Sequence, residues 1–104
     1  MIITACADRE SARVIARMLV ERRLAACVQA LPVESTYVWK DQICVENEIT
    51  LLIKSKTALF DEVAAAIKEN HSYEVPEIIQ CPITNGYSEY LRWIDENIWG
   101  GITS

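Results

Sequence analysis

"VESTYVWKDQICVENEITLLIKS", residues 33–55, is the stretch whose reading decides the fold. It holds two extended runs joined by three polar residues, Lys40, Asp41 and Gln42. In the first run Val33, Ser35, Tyr37 and Trp39 fall on one side. In the second, Ile43, Val45, Asn47, Ile49, Leu51 and Ile53 take alternate positions. A period of two on both sides of a short polar break is the pattern of a β-hairpin. At ~3.3 Å per residue it would run 35 Å or more, longer than a small domain needs. The excess must cover something, and a neighbouring subunit is the expected candidate.

Upstream, "AACVQAL" reads as the start of the first hairpin strand, and Pro32 predicts a bulge or an edge position there. Before it, "RESARVIARMLVERRL" carries Ala12, Ile15, Ala16 and Leu19 on one helical stripe and Arg9, Arg13 and Arg17 on the other face. Asp8 can cap that helix, and Arg22 and Arg23 suit its C-terminal end. "MIITACA" is apolar and β-branched, as a central strand should be. Downstream, Thr57 would cap a helix over "ALFDEVAAAIKEN", with Phe60, Val63, Ala64 and Ile67 inward. "EIIQCPI" is a fourth strand containing Pro82. "NGYSEYLRWIDENI" is a third helix with Tyr90, Leu91, Ile94 and Ile98 inward, and "WGGITS" is a tail. The order β-α-β-β-α-β plus a helix is the split βαβ, or ferredoxin-like, arrangement. The predicted class is α+β: an antiparallel sheet in the order 4-1-3-2 with both main helices on one face, a long hairpin between strands two and three, and an extra C-terminal helix.

The chain of 104 residues is read as one domain, 1–104. Such a chain buries roughly two-thirds of its unfolded surface, so association would help it. Hydrophobic residues at 51% make it globular rather than disordered. A net charge of −5 argues against nucleic acid, which needs a basic face. No basic-then-apolar leader opens the sequence, and no apolar run approaches the ~20 residues of a membrane helix. The four cysteines, Cys6, Cys27, Cys44 and Cys81, form no CxxC pair. The expected setting is the cytoplasm, with reduced thiols. No hydrolase triad, P-loop or dinucleotide fingerprint is present, so no enzyme is expected.

Five stretches in order resemble the CutA family, the divalent-cation tolerance proteins: "RLAACV" at 23–28, Ser35, Tyr37 and Trp39 in "STYVW", "LLIKS" ending at Ser55, "HSYEVPEII" at 71–79, and "YLRWI" at 90–94. The resemblance spans essentially the whole chain. It implies the ferredoxin-like fold, a homotrimer in which the long hairpin pairs with neighbouring strands, and a link to copper and other divalent ions. Two departures concern loops. Ser72 stands where the family usually has Pro, and the hairpin turn lacks the family's usual Gly and second Lys, reading Trp39, Lys40, Asp41, Gln42.

His71 is the only histidine, and neutral imidazole is a common copper and zinc ligand. Glu74 could add a carboxylate and Cys27 a thiolate, a set suited to a borderline or soft ion. The competing reading makes His71 a helix end, "YEVP" a forced extension and Cys27 a buried strand residue. Glu48 and Lys54 share a strand face, and with Tyr37 and Trp39 they could line a polar cleft between subunits. The competing reading there is an ordinary cross-strand or intersubunit salt bridge. The expected function is a cytosolic homotrimer that binds divalent metal ions, copper foremost and zinc next, in cation tolerance. The alternative is a small-molecule sensor module of the PII type using the cleft, by fold analogy.

Overall fold

The computed structural model describes residues 1–99. Its elements run β1 (Ile2–Cys6), α1 (Arg9–Glu21), β2 (Cys27–Trp39), β3 (Gln42–Lys54), a single 3-10 turn (Thr57–Leu59), α2 (Phe60–Asn70), β4 (Ile78–Gln80) and α3 (Ser88–Glu96). All pairings are antiparallel, and the sheet order is β2-β3-β1-β4. This is the predicted 4-1-3-2 order read from the other edge. Of the tail "WGGITS", only Trp99 lies within the described residues.

One sheet face makes the core. Ile2 and Cys6 of β1 and Ile49, Leu51 and Ile53 of β3 point to it, and each pairs across the β1–β3 ladder with another of the set or with Thr4. Against them pack Ala12, Ile15 and Leu19 from α1 and Val63, Ala66 and Ile67 from α2. The helical stripes were legible in the spacing, with Ala66 buried where Ala64 was expected. Thr4 is the exception in this apolar layer. Its side chain is fully buried, and its hydroxyl has no hydrogen-bond partner among the described residues.

Asp8 caps α1 as expected, its Oδ1 accepting the Ser11 N–H at 2.8 Å. That bond holds the Asp8 carboxyl below its ordinary pKa. The helix ends on Arg23, whose φ of 58° lies in the left-handed region that usually favours glycine. The Arg23 carbonyl accepts the Trp99 N–H at 2.9 Å, and its guanidinium sits 4.4 Å from the Trp99 ring. The chain after α3 is thereby tied to the end of α1, with Ile94 and Ile98 buried beneath.

Four local expectations change. The hairpin turn has two residues, Lys40 and Asp41, because Gln42 already pairs with Trp39. Both turn residues have positive φ, 50° and 62°, as a type I′ turn requires. Of the two places expected for Pro32 it takes the edge and not the bulge: the β2–β3 register is unbroken through the Pro32–Ile49 pair. Proline is tolerated because β2 is an edge strand and needs no N–H on its open side. Strand β4 stops at Gln80, so Pro82 lies beyond it. Thr57 is not a cap but opens the 3-10 turn, with Lys56 before it and no side-chain cap bond. Tyr90 does not face inward; it is 40% exposed and stacks on Trp93.

Candidate functional site

The sheet face opposite the helices carries the even positions of β3 and the odd positions of β2, by the pairing of Val33 with Glu48 and Tyr37 with Cys44. Over the outer part of this face lies the segment 72–77. Together they enclose an open cleft of about 850 Å³. Tyr37, Trp39, Glu46 and Glu48 line it from the hairpin, and Tyr73, Glu74 and Glu77 from the segment. Among the described residues, no lysine, arginine or histidine lines it.

The segment is pinned at three points. Lys68, in the last turn of α2, donates from Nζ to the Glu74 carbonyl at 2.7 Å. The Tyr73 hydroxyl donates to Glu48 Oε2 at 2.6 Å. His71 supplies the third. Its Nδ1 accepts the Tyr73 N–H at 3.1 Å, so the ring proton sits on Nε2 and is donated to the Ala5 carbonyl at 2.7 Å. Pro76 keeps Val75 out of the helical region, so α2 cannot resume before β4. The wall opposite the hairpin thus owes its position to one imidazole, one ammonium and one phenol.

The cleft is electronegative. Glu46 pushes the Tyr37 phenol up to about 12, chiefly by accepting its hydroxyl hydrogen bond. Burial pushes Tyr73 up further, with the Glu48 carboxylate adding to it. Glu48 itself is only 8% exposed.

The candidate cleft set is therefore brought together in three of its four members. Tyr37, Trp39 and Glu48 line one cavity, whereas Lys54 does not. Lys54 shares the face but stands six residues along β3 from Glu48, ~20 Å at strand spacing. Its Nζ donates to Gln29 Oε1 at 2.9 Å and lies 5.8 Å from the Tyr90 ring. Neither Glu48 nor Lys54 makes a cross-strand salt bridge among the described residues.

The candidate metal set is dispersed within one chain. Glu74 faces the cleft. His71 sits behind the segment with both ring nitrogens engaged. Cys27 pairs with Lys54, four residues along β3 from Thr50, the partner of Ala5, which is ~13 Å further down the sheet. Among the described residues, no three His, Cys, Asp or Glu side chains gather closely enough to hold one ion. Sequence reading missed Glu46, Tyr73 and Glu77. Glu46 was within reach, because its parity in the strand is that of Glu48. The other two enter only through the path of segment 72–77, which no periodicity encodes.

The family model described as "CutA1 divalent ion tolerance protein" matches residues 1–97. The "Divalent-cation tolerance protein CutA" of Thermus thermophilus is 41% identical over 93% of this chain and 95% of its own. Its solved structure superposes with a TM-score of 0.90, covering the same shares of both chains. The Archaeoglobus fulgidus structure named "Periplasmic divalent cation tolerance protein CutA" is 38% identical and also superposes at 0.90, over 92% of this chain and 94% of that one. The "Protein CutA homolog" of Danio rerio is 40% identical over 94% of this chain, which spans only 66% of the fish protein.

Proposed function

The chain belongs to the CutA1 divalent ion tolerance protein family, and from that premise we propose that it acts as a cytoplasmic homotrimer that binds divalent metal ions, copper foremost. The observation that carries the reading is the outer hairpin. Val38, Ile43 and Val45 are 69%, 78% and 58% exposed on one face, with Tyr37 and Trp39 on the other. Monomers rarely leave so much contiguous apolar surface in water, and an uncovered edge strand adds the same pressure. A second and third copy of the chain would cover both.

Assembly also bears on the metal. One chain offers carboxylates in the cleft but no three donors around a single point. Ions would then be held where copies meet, each giving one or two ligands. Glu74 is the member of the candidate trio best placed to contribute. For His71 to contribute, its ring would have to leave one of two hydrogen bonds. The four unpaired thiols support a reducing compartment. The role is binding rather than catalysis, in keeping with the family's name.

The test is an anaerobic copper titration by calorimetry on the assembled protein, comparing wild type, Glu74→Gln and His71→Ala. The reading expects binding that weakens roughly tenfold in Glu74→Gln, the scale of one lost charged ligand. Identical isotherms in all three proteins, or none, would remove both residues from any metal role.

A second reading is favoured by the cleft itself. Its volume falls within the ~300–1,000 Å³ typical of small-molecule pockets, and aromatic and charged side chains converge in it. On this reading the protein is a binding module for a small organic ligand.

A further inference from the structure

Between β4 and α3 runs "CPITNGY", residues 81–87, exposed throughout and without regular secondary structure. It belongs neither to the cleft nor to the outer hairpin. Of the chain's four asparagines, Asn85 alone precedes a glycine, Gly86. The other three are restrained. Asn70 donates from Nδ2 to the Ala66 carbonyl at 2.9 Å, and the N–H of the next residue, His71, donates to the Lys68 carbonyl. Asn97 donates from Nδ2 to the Trp93 carbonyl at 2.9 Å, and the Ile98 N–H donates to the Asp95 carbonyl. Asn47 lies within β3, paired with Glu34. Among the described residues neither the Asn85 side chain nor the Gly86 N–H has a hydrogen-bond partner.

That combination is what cyclisation of a side chain onto the backbone needs. Glycine has no β-carbon to screen its nitrogen, and its backbone turns freely. An exposed connection also reaches a reactive shape without opening any packed element first. We propose that Asn85–Gly86 is a self-modification site, at which asparagine converts without an enzyme to isoaspartate and aspartate. The Gly86 nitrogen gives up its proton to solvent and attacks Asn85 Cγ. The N–Cγ bond forms, the Cγ–Nδ2 bond breaks, and the amide leaves as ammonia with a proton from water. Water then opens the cyclic succinimide. Addition at Cγ restores the ordinary chain as aspartate; addition at the Asn85 backbone carbonyl leaves the chain running through the side chain, as isoaspartate. Water is the one co-reactant, and nothing is oxidised or reduced.

The place of the site gives isoaspartate a consequence. A β-carbon built on Gly86 would lie 3.0 Å from Leu91 Cδ2, so Gly86 already packs closely on α3. Isoaspartate adds a methylene to the backbone beside that contact. Helix α3 leads to the buried Ile94 and Ile98, and Trp99 behind them is tied to Arg23. Isoaspartate therefore loosens α3. Aspartate, with the new charge but not the methylene, does not.

The experiment ages the assembled wild-type protein, its Asn85→Gln variant and a synthetic peptide of residues 81–87 in one mildly alkaline buffer. Peptide mapping by mass spectrometry follows the amide at all four asparagines, and isoaspartyl methyltransferase labelling counts the isoaspartate. In the protein Asn85 should convert at a rate within about tenfold of the peptide's, while Asn47, Asn70 and Asn97 convert at least ~tenfold more slowly than Asn85, because local opening must come first. Asn85→Gln should remove the isoaspartate signal. If Asn85 persists as long as the other three, or the protein slows it far more than tenfold against the peptide, the folded or assembled chain holds the pair out of reach and the proposal is overturned. For the consequence, the aged protein is resolved by its added charge and melted beside Asn85→Asp. The isoaspartate form should melt below that variant; equal melting would overturn the effect on α3.

Discussion

In the inner half of β3, Ile49, Leu51 and Ile53 are 7%, 0% and 0% exposed; in the outer half Ile43 and Val45 are 78% and 58% exposed. All five occupy odd positions of one unbroken strand and so face the same side of the sheet. The difference is not in the strand but in what lies over it. Helices α1 and α2 cover the inner half, and nothing in the described chain covers the outer half. A strand's alternation thus encodes two burials, one completed by the chain and one left open. The open one is what a neighbouring copy would complete.

The largest effect should come from breaking the open half. Replacing Ile43 and Val45 with lysine would put two charges where the proposed assembly would remove water. Burying two such side chains is worth about 3–6 kcal/mol per chain, so the double variant should be monomeric by sedimentation and melt well below wild type. An unchanged mass in solution would show that the outer hairpin faces water in the assembled protein as well. Next comes the completed half. Leu51→Ala leaves a cavity in a packed layer and should cost about 2–5 kcal/mol in denaturant unfolding. Its mass in solution should be wild type wherever it remains folded. The two variants therefore separate stability made within the chain from stability made between chains.

Much of this division could be read from the residues. The hairpin, the helical stripes and the sheet order follow from periods of two and 3.6, which survive in any single sequence. The cleft was half legible. Glu48 and Lys54 share a face by parity alone, but parity says nothing of distance along the strand, and Tyr37 and Trp39 join that face only because the turn has two residues, which sets the register. The far wall was not legible, because segment 72–77 is placed by single contacts: Lys68 to the Glu74 carbonyl, His71 to Ala5 and Tyr73 to Glu48. His71 is the instructive case. A lone histidine beside a glutamate suggests a ligand; in the single chain its Nε2 donates to the Ala5 carbonyl and its Nδ1 accepts the Tyr73 N–H, bonds the spacing does not announce.

A smaller effect probes an imperfection in the covered half. Among the described residues the Thr4 hydroxyl is buried without a partner between apolar layers. Thr4→Val keeps the shape, removes an unsatisfied polar group and should stabilise the protein by about 1 kcal/mol. A loss of stability instead would mean that the hydroxyl is satisfied in solution, and the core would have to be redrawn around that bond.

The smallest effect belongs to the tip of the open half, where Lys40 and Asp41 hold φ of 50° and 62°. Left-handed backbone costs an ordinary L-residue ~1–2 kcal/mol, and an aspartate less, because its short side chain bonds locally. Asp41→Gly relieves that strain but releases more freedom in the unfolded chain, so the net gain should be under about 1 kcal/mol. Where the gain appears is more telling than its size. If the outer hairpin is clamped by neighbours, the turn unfolds only with the whole assembly, and the gain appears as a rise in global stability. If the tip is free, it opens locally. The gain would then be confined to slower hydrogen exchange at amides near Trp39 and Gln42, with the melting temperature unmoved.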